Sequence, residues 1–296
     1  MRTGWAGCRW PRASWCTTPP ASSNRPGSGG LACPTSPPRP GRAHRQKGHT
    51  MRIGILGSGA IGATLARVFS AGGHEVAVAN SRGPETIDPA VLEFGARAGS
   101  AADAVRDKDV VILSVPFFKV PDVAGVFASV PEETVVIDTT NYVPFQDWDV
   151  PVEGVGQGQV ESLWVAGRLG RPVVKAWNAV LEETLKTRGA PAGTPGRIAL
   201  PVAADSDQAR RVAMRLVDES GFDPFDAGGL ADSWRQQPAT PAYCTELTLD
   251  ELGPALRAAD REKTPALRAR ALERVAAFTS PPTREEIVEL NRSLHR

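Results

Sequence analysis

A short apolar run, RIGIL at residues 52–56, passes directly into Gly57-Ser58-Gly59-Ala60-Ile61-Gly62 and then into a stretch with helical spacing. No other feature of the chain restricts the fold so tightly. Three glycines at this spacing let a strand end in a tight turn and feed straight into a helix, with the third allowing helix and strand to pack closely. The helix is expected over AIGATLARVFSAGG, with Ala60, Thr64, Ala66–Arg67 and Phe69 on one face and Gly72-Gly73 as its stop.

The rest of the pattern extends this start. EVAVA (75–79), DVVILSVP (109–116), TVVIDTT (134–140) and PVVKAW (172–177) are strand-like and mostly unbroken in their apolar character. Continuous rather than alternating runs mark strands covered on both faces, as in parallel sheets. A helix is expected around Glu85–Phe94, and other helical stretches separate the later runs. The class is therefore α/β, a doubly wound parallel sheet of the Rossmann type. RIALPVAA (197–204) is a further strand, Asp205-Ser206-Asp207 supply capping oxygens for QARRVAMRLVDES, and Gly221 closes that helix before a last strand, FDPFDAG. Beyond Tyr243 the pattern is helical only, with capping-box spacing at Thr248…Glu251 and Thr283…Glu286. Residues 51–245 read as the main domain and 246–296 as a helical C-terminal appendage.

The first fifty residues differ from the rest. They hold seven Arg, one Lys and no acid, together with eight of the 26 Pro and three of the four Cys, but no Val, Ile, Phe or Tyr. Such a segment cannot bury enough apolar surface to offset the entropy of ordering it, so a disordered leader is expected. It has no apolar stretch suited to a secretory signal. Its Arg- and Ser-rich character is superficially that of an organellar transit peptide, but the simpler expectation is that Met51 is the natural start and residues 1–50 a disordered or mis-assigned, dispensable extension. Removing its eight cations from 34 leaves 26 Lys and Arg against 33 acids, so residues 51–296 carry −7. An acidic body argues against nucleic acid as a partner, and no apolar run approaches the ~20 residues that span a membrane. With Cys8, Cys16 and Cys33 in the leader, Cys244 alone belongs to the body, which favours a reducing, cytoplasmic setting.

In the context of strand, turn and helix, the glycine motif points to a dinucleotide. Gly57 permits the turn, Gly59 lets a pyrophosphate approach the backbone, Gly62 allows close packing, and the helix N-terminus faces the anion. The second strand then ends in Asn80-Ser81-Arg82, where NAD-binding proteins place a carboxylate for the ribose hydroxyls. A carboxylate repels the 2′-phosphate of NADP, whereas an arginine pairs with it. NADP(H) is the expected cofactor.

These residues also carry a resemblance. MRIGILGSGAIGATLARVFSAGGHEVAVANSRGPET, the SVP turn at 114–116, VVKAWNAV at 173–180 and GFDPFDAGGLADSWRQQPATP at 221–241 together resemble the NADPH-dependent F420 reductases, or F420-dependent NADP oxidoreductases. That family is related to the reductase domain of membrane ferric reductases, and the resemblance spans roughly residues 51–245. It implies direct hydride transfer between NADPH and the deazaflavin of coenzyme F420, or a flavin-like partner. It also implies that Ser58, Gly59, Ala60 and Ile61 face the pyrophosphate and Ser81 and Arg82 the 2′-phosphate. Val115, Pro116, Asn141, Asn178 and Ala179 would line the nicotinamide pocket.

Other residues read more simply. His44, His49, His74 and His295 lack metal-ligand spacing, and His74 falls in the loop before the second strand. Lys175 has a structural or surface role before it is a general acid, Cys244 is a buried small hydrophobe, and Trp177 and Trp234 are core residues before they are ring-stacking ones. Two rivals stand beside deazaflavin reduction. One is reduction of a small ketone or imine, with Lys175 or Tyr243 as proton donor; the other is a non-catalytic NADP(H) sensor. The expected partner is a small redox molecule, and a homodimer is compatible with the sequence.

Overall fold

The computed structural model describes residues 50–143, 152, 154–155 and 159–296. The leader expected at 1–50 therefore lies outside the described residues except for Thr50, and Cys8, Cys16, Cys33, His44 and His49 lie outside with it. Along the described chain run β1 (Arg52–Leu56), α1 (Ala60–Ala71), β2 (Glu75–Ala79), α2 (Pro89–Leu92), β3 (Arg97–Ala98), α3 (Ala101–Val105) and β4 (Val110–Leu113). There follow α4 (Val120–Ala124), β5 (Val135–Asp138), α5 (Glu161–Leu169), β6 (Val174–Lys175), α6 (Glu182–Thr187), β7 (Ala199–Val202), α7 (Asp207–Glu219) and β8 (Asp223–Asp226). Three helices, α8 (Leu249–Arg257), α9 (Thr264–Ala276) and α10 (Arg284–Ser293), complete it.

Six strands form one parallel sheet in the order β3-β2-β1-β4-β5-β6. The strand order reverses between β1 and β4, the point where open sheets of this kind bind ligands beyond their carboxyl ends. Alternation along each strand explains the unbroken apolar runs. Ile53, Ile55, Val110 and Ile112 point into one layer with Leu65 and Phe69 of α1 and Leu216 and Val217 of α7. Leu56, Val111, Leu113 and Val136 point into the opposite layer with Val105 of α3 and Trp164 and Val165 of α5. Both faces are covered, so both sets of alternating residues must be apolar.

Several local expectations change. The helix around Glu85–Phe94 is a 3₁₀ turn at Pro84–Thr86 followed by the four-residue α2, because Pro84 and Pro89 interrupt backbone hydrogen bonding. The buried face of α1 is Gly62, Leu65, Ala66, Phe69 and Ser70, and Ala60 is exposed. The run PVVKAW yields only two strand residues. Trp177 takes φ 55°, a left-handed conformation that costs about 1–2 kcal/mol in a non-glycine residue and turns the chain off the sheet. The indole is held by its N–H donating to Ser220 Oγ at 3.1 Å and by an edge contact with Phe69. β7 and β8 pair with each other as a separate parallel sheet, joined to the main sheet through an antiparallel bridge between Lys175 and Ala203. α8 packs on that small sheet, where Leu252 and Leu256 meet Ala199, Ala242 and Phe225. Among the described residues, no helix is long and apolar enough to cross a membrane.

Candidate dinucleotide site at the carboxyl edge of the sheet

Because the six strands are parallel, the segments that follow β1, β2, β4, β5 and β6 share one edge. The glycine turn, Asn80–Arg82, Ser114–Pro116, Thr139–Asn141 and Trp177–Ala179 are thus brought to the same side of the molecule. Every expected site residue lies on that edge.

The glycine turn is built by close approach. Gly57 has φ 108°, donates its N–H to Ala79 O at 2.8 Å, and leaves no room for a Cβ against Ser114 O. A Cβ on Gly62 would collide with Gly57 O, whereas a Cβ on Gly59 would meet nothing within 4 Å. The space above Gly59 is therefore open. Gly59 caps α1 with no side-chain hydrogen bond, and the first turn of the helix carries no acid. The leading N–H groups of a helix have no carbonyl within it to bond, so those at Ala60–Ile61 point their positive ends outward. A backbone cradle open on one side and lacking negative charge fits a pyrophosphate.

Asn80 joins this cradle to the next loop. Its Nδ2 donates to Ser58 Oγ at 3.2 Å and to Thr86 Oγ1 at 2.9 Å, while its Oδ1 accepts Arg82 N–H at 3.0 Å. Thr86 Oγ1 in turn donates to Gly83 O. Ser81 and Arg82 are exposed, and among the described residues the Arg82 guanidinium forms no ion pair. An exposed cation at the end of β2, with its backbone fixed and its side chain uncommitted, fits the 2′-phosphate of NADP.

At the other end the walls are amides. Asn141 Nδ2 donates to Asn178 O at 2.8 Å, and Asn178 Nδ2 donates back to Asn141 Oδ1 at 3.0 Å. Asn178 also exchanges bonds with Gln236, whose Nε2 donates to Asn178 Oδ1 at 2.8 Å. Ala179 O accepts Cys244 N–H, which brings Tyr243-Cys244 beside this group. Val115 is half-buried and Pro116 exposed where β4 ends.

Directly behind the amides lies a charged core. Lys175 and Asp138 are in register across β5 and β6, with Nζ 3.0 Å from Oδ2 and neither side chain exposed. Lys175 also donates to Thr140 O, and Asp138 accepts from Thr140 N–H, Thr140 Oγ1 and Ser162 Oγ. Buried Glu161 accepts Tyr142 N–H at 3.1 Å and pairs with Arg268 at 3.2 Å. Burial pushes the Glu161 carboxyl up, opposed chiefly by Arg268. The Tyr243 phenol is pushed well up by burial, and further by the neighbouring Cys244 and Glu161. Burial also pushes the Cys244 thiol up to about 12.

Cys244 is buried and Trp177 is a core residue, as expected, whereas Lys175, open to a structural or a surface role by sequence, is wholly buried. Trp234 differs: it is half-buried, with Arg235 and Arg261 over its ring at 4.7 and 5.7 Å. His74 is more than a loop residue. Its Nδ1 accepts Met51 N–H and its Nε2 lies 2.6 Å from Glu219, which pins β1 to α7. Gln236, Asp138, Glu161 and Arg268 were not singled out. A lone acid in VVID opposite a lone cation in VVK would have pointed to Asp138, whereas Glu161 and Arg268 are 107 residues apart and leave no local signal. Among the described residues no cluster of His, Cys, Asp and Glu could hold a metal.

Residues 52–142 match the family described as NADP oxidoreductase, coenzyme F420-dependent. Protein YjhV of Escherichia coli (strain K12) is 43% identical over 108 residues, which span 36% of this chain and 77% of YjhV. The crystal structure of protein SMa0349 from Sinorhizobium meliloti aligns with a TM-score of 0.58 at 31% identity, covering 68% of this chain and 96% of that one. A structure from Arthrobacter sp. FB24, named for F420-dependent NADP reduction, shares the fold with a TM-score of 0.50 at 17% identity, covering 77% and 94%. The fold and the family match define a Rossmann-type protein of the NADP oxidoreductase class. The chain belongs to the coenzyme F420-dependent NADP oxidoreductase family.

Proposed function

We propose that this protein binds NADP(H) and passes a hydride between it and a deazaflavin such as coenzyme F420, or a flavin-like ring. The observation that carries this reading is the chemistry of the nicotinamide end. Asn141, Asn178 and Gln236 are amides with no titratable proton, and Lys175 is held by Asp138 below them. Hydride transfer between two aromatic cofactors is the cofactors' own chemistry, and the protein needs only to position them. The N–H groups at Ser58–Ile61 hold the pyrophosphate, and Arg82 with Ser81 holds the 2′-phosphate. Asn141, Asn178 and Ala179, with Val115 and Pro116 at the end of the neighbouring β4, frame the nicotinamide. When bound, NADPH supplies the hydride. The redox partner proposed is a small molecule, and the compartment proposed is the cytoplasm, in keeping with a body that carries one cysteine and no disulfide framework.

The test is NADPH oxidation followed with coenzyme F420, FMN, FAD and simple carbonyls supplied in turn. Rapid transfer to F420 or a flavin supports the reading. NADPH binding with turnover of carbonyls only would replace it with carbonyl reduction, and binding without any turnover would replace it with a sensor.

A further inference from the structure

Glu161 opens α5 just behind the Asn141 turn with 1% of its surface exposed. Four charged or titratable groups face it: Arg268 from α9, Lys175 from β6, Asp138 from β5, and Tyr243 from the segment before α8. The partial positive end of α5 adds to the cations. Burial works against the carboxylate, and Arg268 is the strongest opposing influence.

α9 has no fully buried residue of its own, yet it sends Arg268 in to meet Glu161. Glu161 uses its second oxygen to accept Tyr142 N–H, and Tyr142 follows Asn141. The turn from Thr139 to Tyr142 is thus held at one end by Asp138 and Lys175 and at the other by Glu161. The end held by Glu161 depends on a residue of the C-terminal helices.

We propose that Arg268 is a positioning residue: by pairing with Glu161 it fixes the Asn141 turn, so that the C-terminal helical segment sets the affinity of the nicotinamide end of the site. The proposal rests on the reading above that Asn141 frames the nicotinamide. An ionised carboxylate binds an N–H more strongly than a neutral carboxyl does, and an unpaired buried carboxylate takes up a proton instead. Without Arg268 the Glu161 carboxyl rises further. Its ionised hold on Tyr142 is then present above that raised pKa and lost as pH falls through it.

The experiment measures NADPH dissociation constants by fluorescence from pH 6 to 9 for the parent, Arg268→Gln, Arg268→Lys and the double variant Arg268→Gln/Glu161→Gln. Taking the ratio to the parent at each pH cancels the titration of the 2′-phosphate itself. Arg268→Gln is expected to bind about tenfold more weakly than the parent at the acid end of the range, with the deficit narrowing as pH rises. Arg268→Lys restores binding, and the double variant shows a ratio independent of pH. Amide hydrogen exchange at Tyr142, which needs no cofactor, is expected to quicken in Arg268→Gln relative to the amides of β1. A ratio for Arg268→Gln that does not change with pH would overturn the proposal, as would unchanged exchange at Tyr142. A parent that fails to bind NADPH defeats the reading of the site instead, and exchange at Tyr142 still decides the role of Arg268.

Discussion

Lys175 and Asp138 face each other in register across adjacent strands, 3.0 Å apart and both wholly buried, one layer behind the amides of Asn141 and Asn178. An ion pair taken out of water stands only while both partners remain, because either charge alone is buried without compensation. Lys175→Met is therefore expected to cost about 3–5 kcal/mol, a fall in Tm on the order of 10 °C. The double variant Lys175→Met/Asp138→Asn should recover much of that loss. Thermal melts of the three proteins check it, and a single variant as stable as the parent would contradict the pairing.

Gly59 separates binding from folding. A Cβ there meets no protein atom within 4 Å, while the same space is where a pyrophosphate would approach the backbone. Gly59→Ala is expected to leave Tm within a few degrees and to weaken NADPH binding at least tenfold. At Gly62 a Cβ strikes Gly57 O, so Gly62→Ala should lower stability and binding together. Similar behaviour of the two variants would mean that the cradle does not receive the dinucleotide.

What the sequence showed was whatever depends on short range. The strand, glycine turn and helix at 52–71 are visible because backbone sterics demand glycine at Gly57 and Gly62. The parallel sheet shows in VVIL and VVID because burial on both faces forbids alternation. The end of β6 at Trp177 was hidden, since a left-handed tryptophan has no local signature and is held by Ser220 and Phe69 from distant segments. The same holds for the pairing of β7 with β8 in a sheet of their own, which the two strand-like runs do not signal, and for Gln236 beside Asn178, 58 residues away.

Arg82 should discriminate between the two nicotinamide dinucleotides. Its backbone is fixed by Asn80 and its guanidinium is exposed, so Arg82→Ala removes a cation without disturbing the turn. A charge-assisted hydrogen bond contributes roughly 1.5–3 kcal/mol, hence a loss of about ten- to a hundredfold in NADPH affinity with NADH barely changed. Titration with both cofactors checks this, and equal losses would remove Arg82 from the 2′-phosphate.

Cys244 bears on stability in alkali. Its thiol is raised from an ordinary value near 9 to about 12 by burial. Below about pH 9 the thiol is neutral in both folded and unfolded chains, and its contribution to stability is whole. Between about 9 and 12 the unfolded thiol ionises while the folded one does not, so the contribution falls as pH rises. Cys244→Ala is expected to flatten the decline in Tm over that range, and the peptide carrying Cys244 should resist iodoacetamide at pH 8 until the protein is unfolded.

Tyr243 separates the two enzymatic readings. It lies beside the amides through Cys244 N–H and Ala179 O, so it is the side chain a carbonyl reductase would use to protonate its substrate. Its phenol is raised well above the usual range by burial, with Cys244 and Glu161 adding to the effect, which makes it a poor proton donor at neutral pH. Hydride transfer to a ring cofactor asks for no such donor. Tyr243→Phe removes the hydroxyl, keeps the ring, and should hold turnover within about tenfold of the parent. General acid catalysis contributes about 10²–10⁴-fold, so the carbonyl-reductase reading requires a far larger loss at this position. Steady-state rates with F420 and with a carbonyl substrate measure the difference. A tolerant Tyr243 with rapid F420 turnover supports transfer between rings, and carbonyl turnover abolished by the single hydroxyl would overturn it.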